Sequence, residues 1–166
     1  MSDTRTGFSS AASLHACLSA HFCAWRLVTA ESCTGGGLAY QLTSVPGSSR
    51  WFERGFVTYS NEAKQELLGV SSVTLARFGA VSKEVALEMA EGALCHSHAN
   101  LALAITGVAG PDGGSPEKPV GTVWFGVASR GHSSAVCRWF SGDRTLIRQQ
   151  AIEYAISLLE ETCQIQ

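Results

Sequence analysis

Apolar residues recur along this chain at two spacings, and the switching between them predicts the elements. A mostly polar start, Met1 to Phe8, reads as a flexible tail ahead of a single domain over residues 9–166. Leu14, Cys17, Leu18 and Phe22 then share one face at helical spacing, with Ser9 or Ser10 as the cap. Arg26 to Ala30 is a short β-prone run, followed by a glycine-started helix-like stretch to about Thr43. The plan recurs after the turn at Val45 to Ser48. A β-prone run over Arg54 to Tyr59 leads into Ser60 and Asn61, either of which can cap a helix carrying Lys64, Leu67 and Leu68. Val81 to His98 repeats apolar residues at Val85, Leu87, Met89, Ala90 and Leu94 behind a Ser82 cap. Leu101 to Ile105 is a continuous apolar run of the buried-strand kind. Two more strands, Val120 to Ala128 and Ser134 to Phe140, are joined by a hairpin at Ser129 to Ser133, and Asp143 opens a last helix to about Thr162. Helices interleaved with strands and closed by a hairpin predict a three-layer α/β/α sandwich on a mixed β-sheet.

Composition narrows the function classes. A domain of 166 residues hides roughly 70% of its unfolded surface, enough for one substantial core. A net charge of −2 supplies no field to hold DNA or RNA, although a few local arginines can still grip a small anion. Six cysteines without CxxC spacing, and an N-terminus lacking a basic region before an apolar run, lead us to expect reduced thiols in the cytoplasm. No window approaches ~18 consecutive apolar residues, so no membrane partner is expected.

Three segments carry candidate chemistry. Ser32 stands between the first strand and the following helix, where unpaired N–H groups and the helix dipole favour an oxyanion or a phosphate. A hydroxyl there serves equally as helix cap or as nucleophile. The segment is no P-loop, because no Gly-Lys-Ser/Thr follows, and Tyr40 stands where a dinucleotide fingerprint needs its third glycine. Cys33 is a rival nucleophile, since a helix start lowers a thiol pKa, but no histidine has a local signature marking it as its base.

A nucleophilic serine needs a base, and Lys64 qualifies only if its pKa falls from ~10.4 toward neutrality, at a cost of ~4 kcal/mol. On the solvent face of its helix it is an ordinary surface lysine. Tyr59 serves either as core or as proton relay. Arg144 and Arg148 fall on one helix face by i, i+4 spacing, suited to a phosphate or to surface ion pairs. Thr106 to Ser115 is a glycine-rich connection long enough to mark a functional loop. His96 and His98 diverge at i, i+2 on a helix, so we assign no metal. The four tryptophans read as core or interface.

Six blocks in order carry a family resemblance: TAESCTGG from Thr29, VTYSNEAK from Val57, GAVS from Gly79, ITGVAGPDGGS from Ile105, KPVGTV from Lys118, and Gly142-Asp-Arg144 with Ile147-Arg148. From about Leu14 to Glu161 the chain resembles the C-terminal domain of CinA proteins, a family that includes stand-alone nicotinamide mononucleotide deamidases. Gly37 departs from the pattern by extending a glycine pair to three. The pterin-binding-like domain of longer CinA proteins has no counterpart, so its pyrophosphatase activity is not expected.

The resemblance implies hydrolysis of the nicotinamide amide to nicotinic acid mononucleotide and ammonia, with Ser32, Tyr59 and Lys64 as the catalytic group. It further implies that the turn at Cys33, Thr34, Gly35 and Gly36 holds the oxyanion through helix-start amides. Thr106, Gly107 and Gly110 would line the nucleotide pocket, and Arg144 with Arg148 would pair with the 5′-phosphate. No cofactor or metal is implied, and a homodimer is the expected assembly. Two other readings stay open: the resemblance also allows a non-catalytic nucleotide-binding or partner module of the DNA-uptake and repair setting, and the residues allow a cysteine hydrolase using Cys33.

Overall fold

The computed structural model describes residues 10–20 and 25–165. The expected flexible tail, Phe22, and the side chains of Cys17 and Leu18 lie outside the described residues. In chain order the elements are α1 (Ala11–Ala20), β1 (Leu27–Glu31), α2 (Gly37–Thr43), a 3-10 turn (Ser48–Arg50), β2 (Phe52–Val57), α3 (Asn61–Leu68), α4 (Ser72–Phe78) and α5 (Lys83–Cys95). There follow β3 (Leu101–Gly107), β4 (Thr122–Ser129), β5 (His132–Trp139) and α6 (Arg144–Ile165).

One mixed sheet runs in the order β2-β1-β3-β4-β5, with β2, β1 and β3 parallel and β4 and β5 antiparallel. Alternation along the strands divides the two faces. Leu27 on β1, Leu101, Leu103 and Ile105 on β3, and Phe125 on β4 pack against α1, α2 and α6 through Leu14, Leu38, Leu42, Ile147 and Ala151. On the other face Val28, Ala30, Ala102 and Ala104 meet α3, α4 and α5 through Leu68, Leu75, Val85 and Met89. Burying each large side chain contributes about 1.5–3 kcal/mol, so the leucine-rich face carries more of the stability. The alanine face lets α5 approach closely: Gly126 on β4 leaves no room for a Cβ against the Ala86 carbonyl.

The predicted three-layer α/β/α plan is the observed one, and the differences are local. α4 is missing from the periodicity because it has seven residues and one buried apolar position, Leu75; its start is fixed by Ser71, whose hydroxyl accepts from Val73 and Thr74 N–H. β2 lies earlier than Arg54 to Tyr59, since Thr58 and Tyr59 turn their carbonyls toward Lys64 instead of extending the ladder. The hairpin closes tightly, Ser129 pairing with His132 around Arg130 and Gly131.

From β1 the chain leaves along one face through α2 to β2, and from β2 it returns along the other face through α3, α4 and α5 to β3. The carboxyl end of β1 is therefore the point where the topology reverses, the usual place for a ligand crevice in an open α/β sheet. Ser32 is the first residue beyond it.

Candidate active site

Four residues of turn separate Ser32 from α2, so the hydroxyl does not cap the helix as the sequence allowed. Glu31 does so instead. Buried at 1% exposure, its carboxylate accepts from the N–H groups of Gly36 at 3.2 Å, Leu38 at 3.0 Å and Ala39 at 2.8 Å. Gly36, at φ 95°, supplies the left-handed step that aims these amides back at Glu31. Of the turn amides expected to hold an oxyanion, that of Gly36 is thus engaged by a carboxylate within the chain. Nothing in the amino-acid pattern flagged Glu31, although an acidic residue just ahead of a helix is a known capping signal.

Freed from capping, Ser32 meets Lys64. Its Oγ lies 3.0 Å from Lys64 Nζ, and both side chains are buried. Ser60 caps α3 by accepting from Ala63 N–H, which sets Lys64 and Leu68 on the inward face one turn apart. At 1% exposure Lys64 is no surface residue. Nζ also reaches the Thr58 carbonyl at 2.8 Å and, more weakly, the Tyr59 carbonyl at 3.5 Å, with no carboxylate in bonding range among the described residues. Burial lowers its pKa below the ordinary lysine value, opposed only in part by the Cys33 thiol.

The rival nucleophile fares differently. Cys33 is packed into the core and burial pushes its thiol up to about 11, against weaker opposing effects of its own backbone N–H, Lys64 and Arg148. A thiol held protonated makes a poor nucleophile.

At the rim, the structure separates groups that the sequence had joined. The Tyr59 hydroxyl, on a side chain 59% exposed, accepts from Arg144 Nη2 at 2.7 Å and makes no bond to Ser32 or Lys64. Arg144 Nη1 donates to the Gly110 carbonyl at 2.8 Å, tying α6 to the loop after β3. Arg148 turns elsewhere, donating Nε to the Cys33 carbonyl and Nη2 to the Thr34 carbonyl, each at 3.1 Å. The Gly35 and Gly36 amides are already bonded, to the Ser32 carbonyl and to Glu31.

Thr106, buried at the end of β3, donates its hydroxyl to the Ala80 carbonyl at 2.8 Å. Gly107 sits against Val123 and the Thr122 carbonyl of β4. Lys118 stitches the same loop to α4, Nζ to the Phe78 carbonyl at 2.6 Å. His96 Nδ1 bonds the Gly92 carbonyl, and no group of three metal-ligating side chains converges among the described residues.

Fold and side-chain contacts together define an α/β protein with a buried serine-lysine pair beyond the carboxyl ends of parallel strands. Its sequence then places it: a profile of the CinA C-terminal domain matches residues 11–163, and the chain belongs to that family. The nicotinamide-nucleotide amidohydrolase PncC of Escherichia coli (strain K12) is 58% identical over 134 residues, covering 80% of this chain and 81% of that protein. A protein of the same name from Pseudomonas putida is 52% identical over 131 residues, covering 79% and 82%. Among solved structures, a CinA superfamily protein from Klebsiella pneumoniae 700603 superposes with a TM-score of 0.87 at 40% identity, over 92% of this chain and 94% of that one.

Proposed function

We propose that this chain is a nicotinamide-nucleotide amidohydrolase that uses Ser32 as nucleophile and Lys64 as its base. The observation that carries the reading is the buried 3.0 Å contact between Ser32 Oγ and Lys64 Nζ, with no carboxylate on Lys64 among the described residues. A neutral amine has two N–H donors and one lone pair. Lys64 has two carbonyls to receive the donors, Thr58 and Tyr59, and one hydroxyl to fill the lone pair. An ammonium would leave its third proton on a hydroxyl and its charge unpaired in a buried site. The contacts therefore suit the basic form.

In this reading Lys64 takes the Ser32 proton as Oγ attacks the carboxamide carbon, and the carbonyl π pair moves to oxygen. Collapse of that intermediate breaks the C–N bond. The ammonium of Lys64 delivers the proton to the leaving nitrogen, giving ammonia and an ester on Ser32. Water, deprotonated by Lys64, then attacks the ester, and Ser32 leaves with the proton, releasing the pyridine carboxylate. Arg144, bonded to the Gly110 carbonyl and the Tyr59 hydroxyl, has donors to spare and would take the 5′-phosphate, with Tyr59 beside it. With a net charge of −2 the protein has no field for nucleic acid, and we expect it to act as a homodimer in the cytoplasm without metal or cofactor.

Ammonia release from nicotinamide mononucleotide by the purified protein tests this. Ser32→Ala is expected to lower kcat by about 10³-fold or more. Unchanged turnover in that variant defeats the reading, and tight nucleotide binding by wild type without turnover favours a binding module instead.

A further inference from the structure

Arg148 follows Arg144 by one helical turn, yet it reaches under the turn after β1, where its guanidinium takes the carbonyls of Cys33 and Thr34. One rigid fork on two successive carbonyls fixes both peptide planes. In a trans peptide the C=O and N–H point in opposite directions, so the Thr34 N–H faces away from Arg148. The preceding plane is set too: the Ser32 carbonyl accepts from the Gly35 N–H at 3.0 Å, which turns the Cys33 N–H away from that bond.

These two amides stand apart from their neighbours. Ser32 N–H is bonded to the Ile105 carbonyl, Gly35 to Ser32, Gly37 to Thr34, and Gly36, Leu38 and Ala39 to Glu31. Among the described residues the Thr34 N–H meets no acceptor, and the Cys33 N–H has only its own weakly accepting sulfur. The Thr34 hydroxyl, fully buried, has no partner either. Unmatched donors beside a buried nucleophile are what a developing alkoxide requires. The outer side of Arg148 borders a groove of about 520 Å³ between α2 and α6, lined with Gln41, Gln149 and Ile152, which includes none of Ser32, Tyr59, Lys64 or Arg144.

We propose that Arg148 is a positioning residue that turns the Thr34 N–H, beside the Cys33 N–H set by the Ser32–Gly35 bond, toward the substrate's carbonyl oxygen as the oxyanion site, and is not a ligand for the substrate's phosphate. The inference rests on the amidohydrolase reading above. As the Ser32 Oγ–C bond forms, the carbonyl π pair moves to oxygen; the two N–H groups hold that charge until the pair returns and the C–N bond breaks.

The test compares wild type, Ser32→Ala and Arg148→Lys on nicotinamide mononucleotide and on nicotinamide riboside, which lacks the phosphate, with thermal melting to check folding. Lysine keeps the charge and the stem but cannot span two carbonyls. The expected result is a kcat lower by ~10²-fold with KM within about twofold, and the same factor on both substrates. A raised KM for the mononucleotide alone, with kcat intact, makes Arg148 a phosphate ligand and overturns the proposal; so does an unaffected enzyme. Should wild type not turn over the riboside, the kcat-against-KM split on the mononucleotide decides alone. Should Arg148→Lys melt early, Arg148→Gln is held to the same kcat criterion. An inactive wild type, or an active Ser32→Ala, overturns the underlying reaction and this proposal together, whereas an active wild type beside a normal Arg148→Lys overturns only this one.

Discussion

β1 and β2 end side by side, and each region buries an ionisable group just where the strand gives out. The end of β1 surrounds Glu31 with three backbone N–H groups, which bond both oxygens of its side chain. The turn after β2 surrounds Lys64 with carbonyl oxygens and a hydroxyl, and burial there disfavours its charge. Strand alternation makes the difference: Glu31 points toward α2, and Ser32, the next residue, points toward α3. A Glu31 carboxylate on the α3 side would pair with Lys64 and favour its charged form, which in the proposed reading would deprive Ser32 of its base. Two buried ionisable groups in one site are kept from forming a salt bridge by a single residue of offset.

The comparison is broken most severely by Lys64→Met, which fills the same volume without an amine. We expect kcat to fall by about 10³-fold or more while the melting temperature rises, because a buried group that disfavours its own charge is gone. Lys64 has a lower pKa folded than unfolded, so between the two values the unfolded chain binds the extra proton. Wild-type stability therefore climbs with pH through that interval, and below it the penalty is full. The gain in Lys64→Met should accordingly be largest at low pH and shrink as pH approaches 10.5. A melting temperature equal to wild type at every pH would show that the amine sits in the fold at no cost. For the wild type, kcat/KM should rise with pH along a limb whose midpoint lies below 10.5.

A smaller effect is expected on the other side of the comparison. Glu31→Gln keeps one accepting oxygen but replaces the other with an NH₂ that cannot accept, leaving at least one α2 amide unmet. Urea unfolding should show a loss of about 1–3 kcal/mol; unchanged stability would mean the amides do not depend on the carboxylate. Smallest of all, Cys33→Ala should retain activity within about threefold, as expected for an inert buried thiol. Near-total loss with an intact fold would transfer the chemistry to sulfur.

The layered fold was readable because its strands are short apolar runs and its helices begin at serines that do cap them, Ser60 and Ser82 among them. The site was readable only in part. Lysine as a residue type belongs to surfaces, and burial of Lys64 follows from how α3 lies on the sheet, which periodicity within α3 does not report. Glu31 acts on amides five to eight residues ahead through a left-handed glycine, beyond the reach of a local capping pattern. The i, i+4 spacing of Arg144 and Arg148 correctly shares a helix face, but long flexible stems carry their heads to different carbonyls, Gly110 for one and Cys33 with Thr34 for the other.

Chain order has a consequence for how such a site can diversify. The hydroxyl-amine pair is complete by residue 64, whereas the loop at Gly110 and the contact from Arg144 come from later in the chain. In the proposed reading the nucleophile and its base come from the earlier stretch, and the later one supplies the phosphate contact and the Arg148 fork beneath the turn. In that reading, substitutions in the later stretch that spare Arg148 are expected to retune which amide enters while leaving the Ser32–Lys64 pair intact.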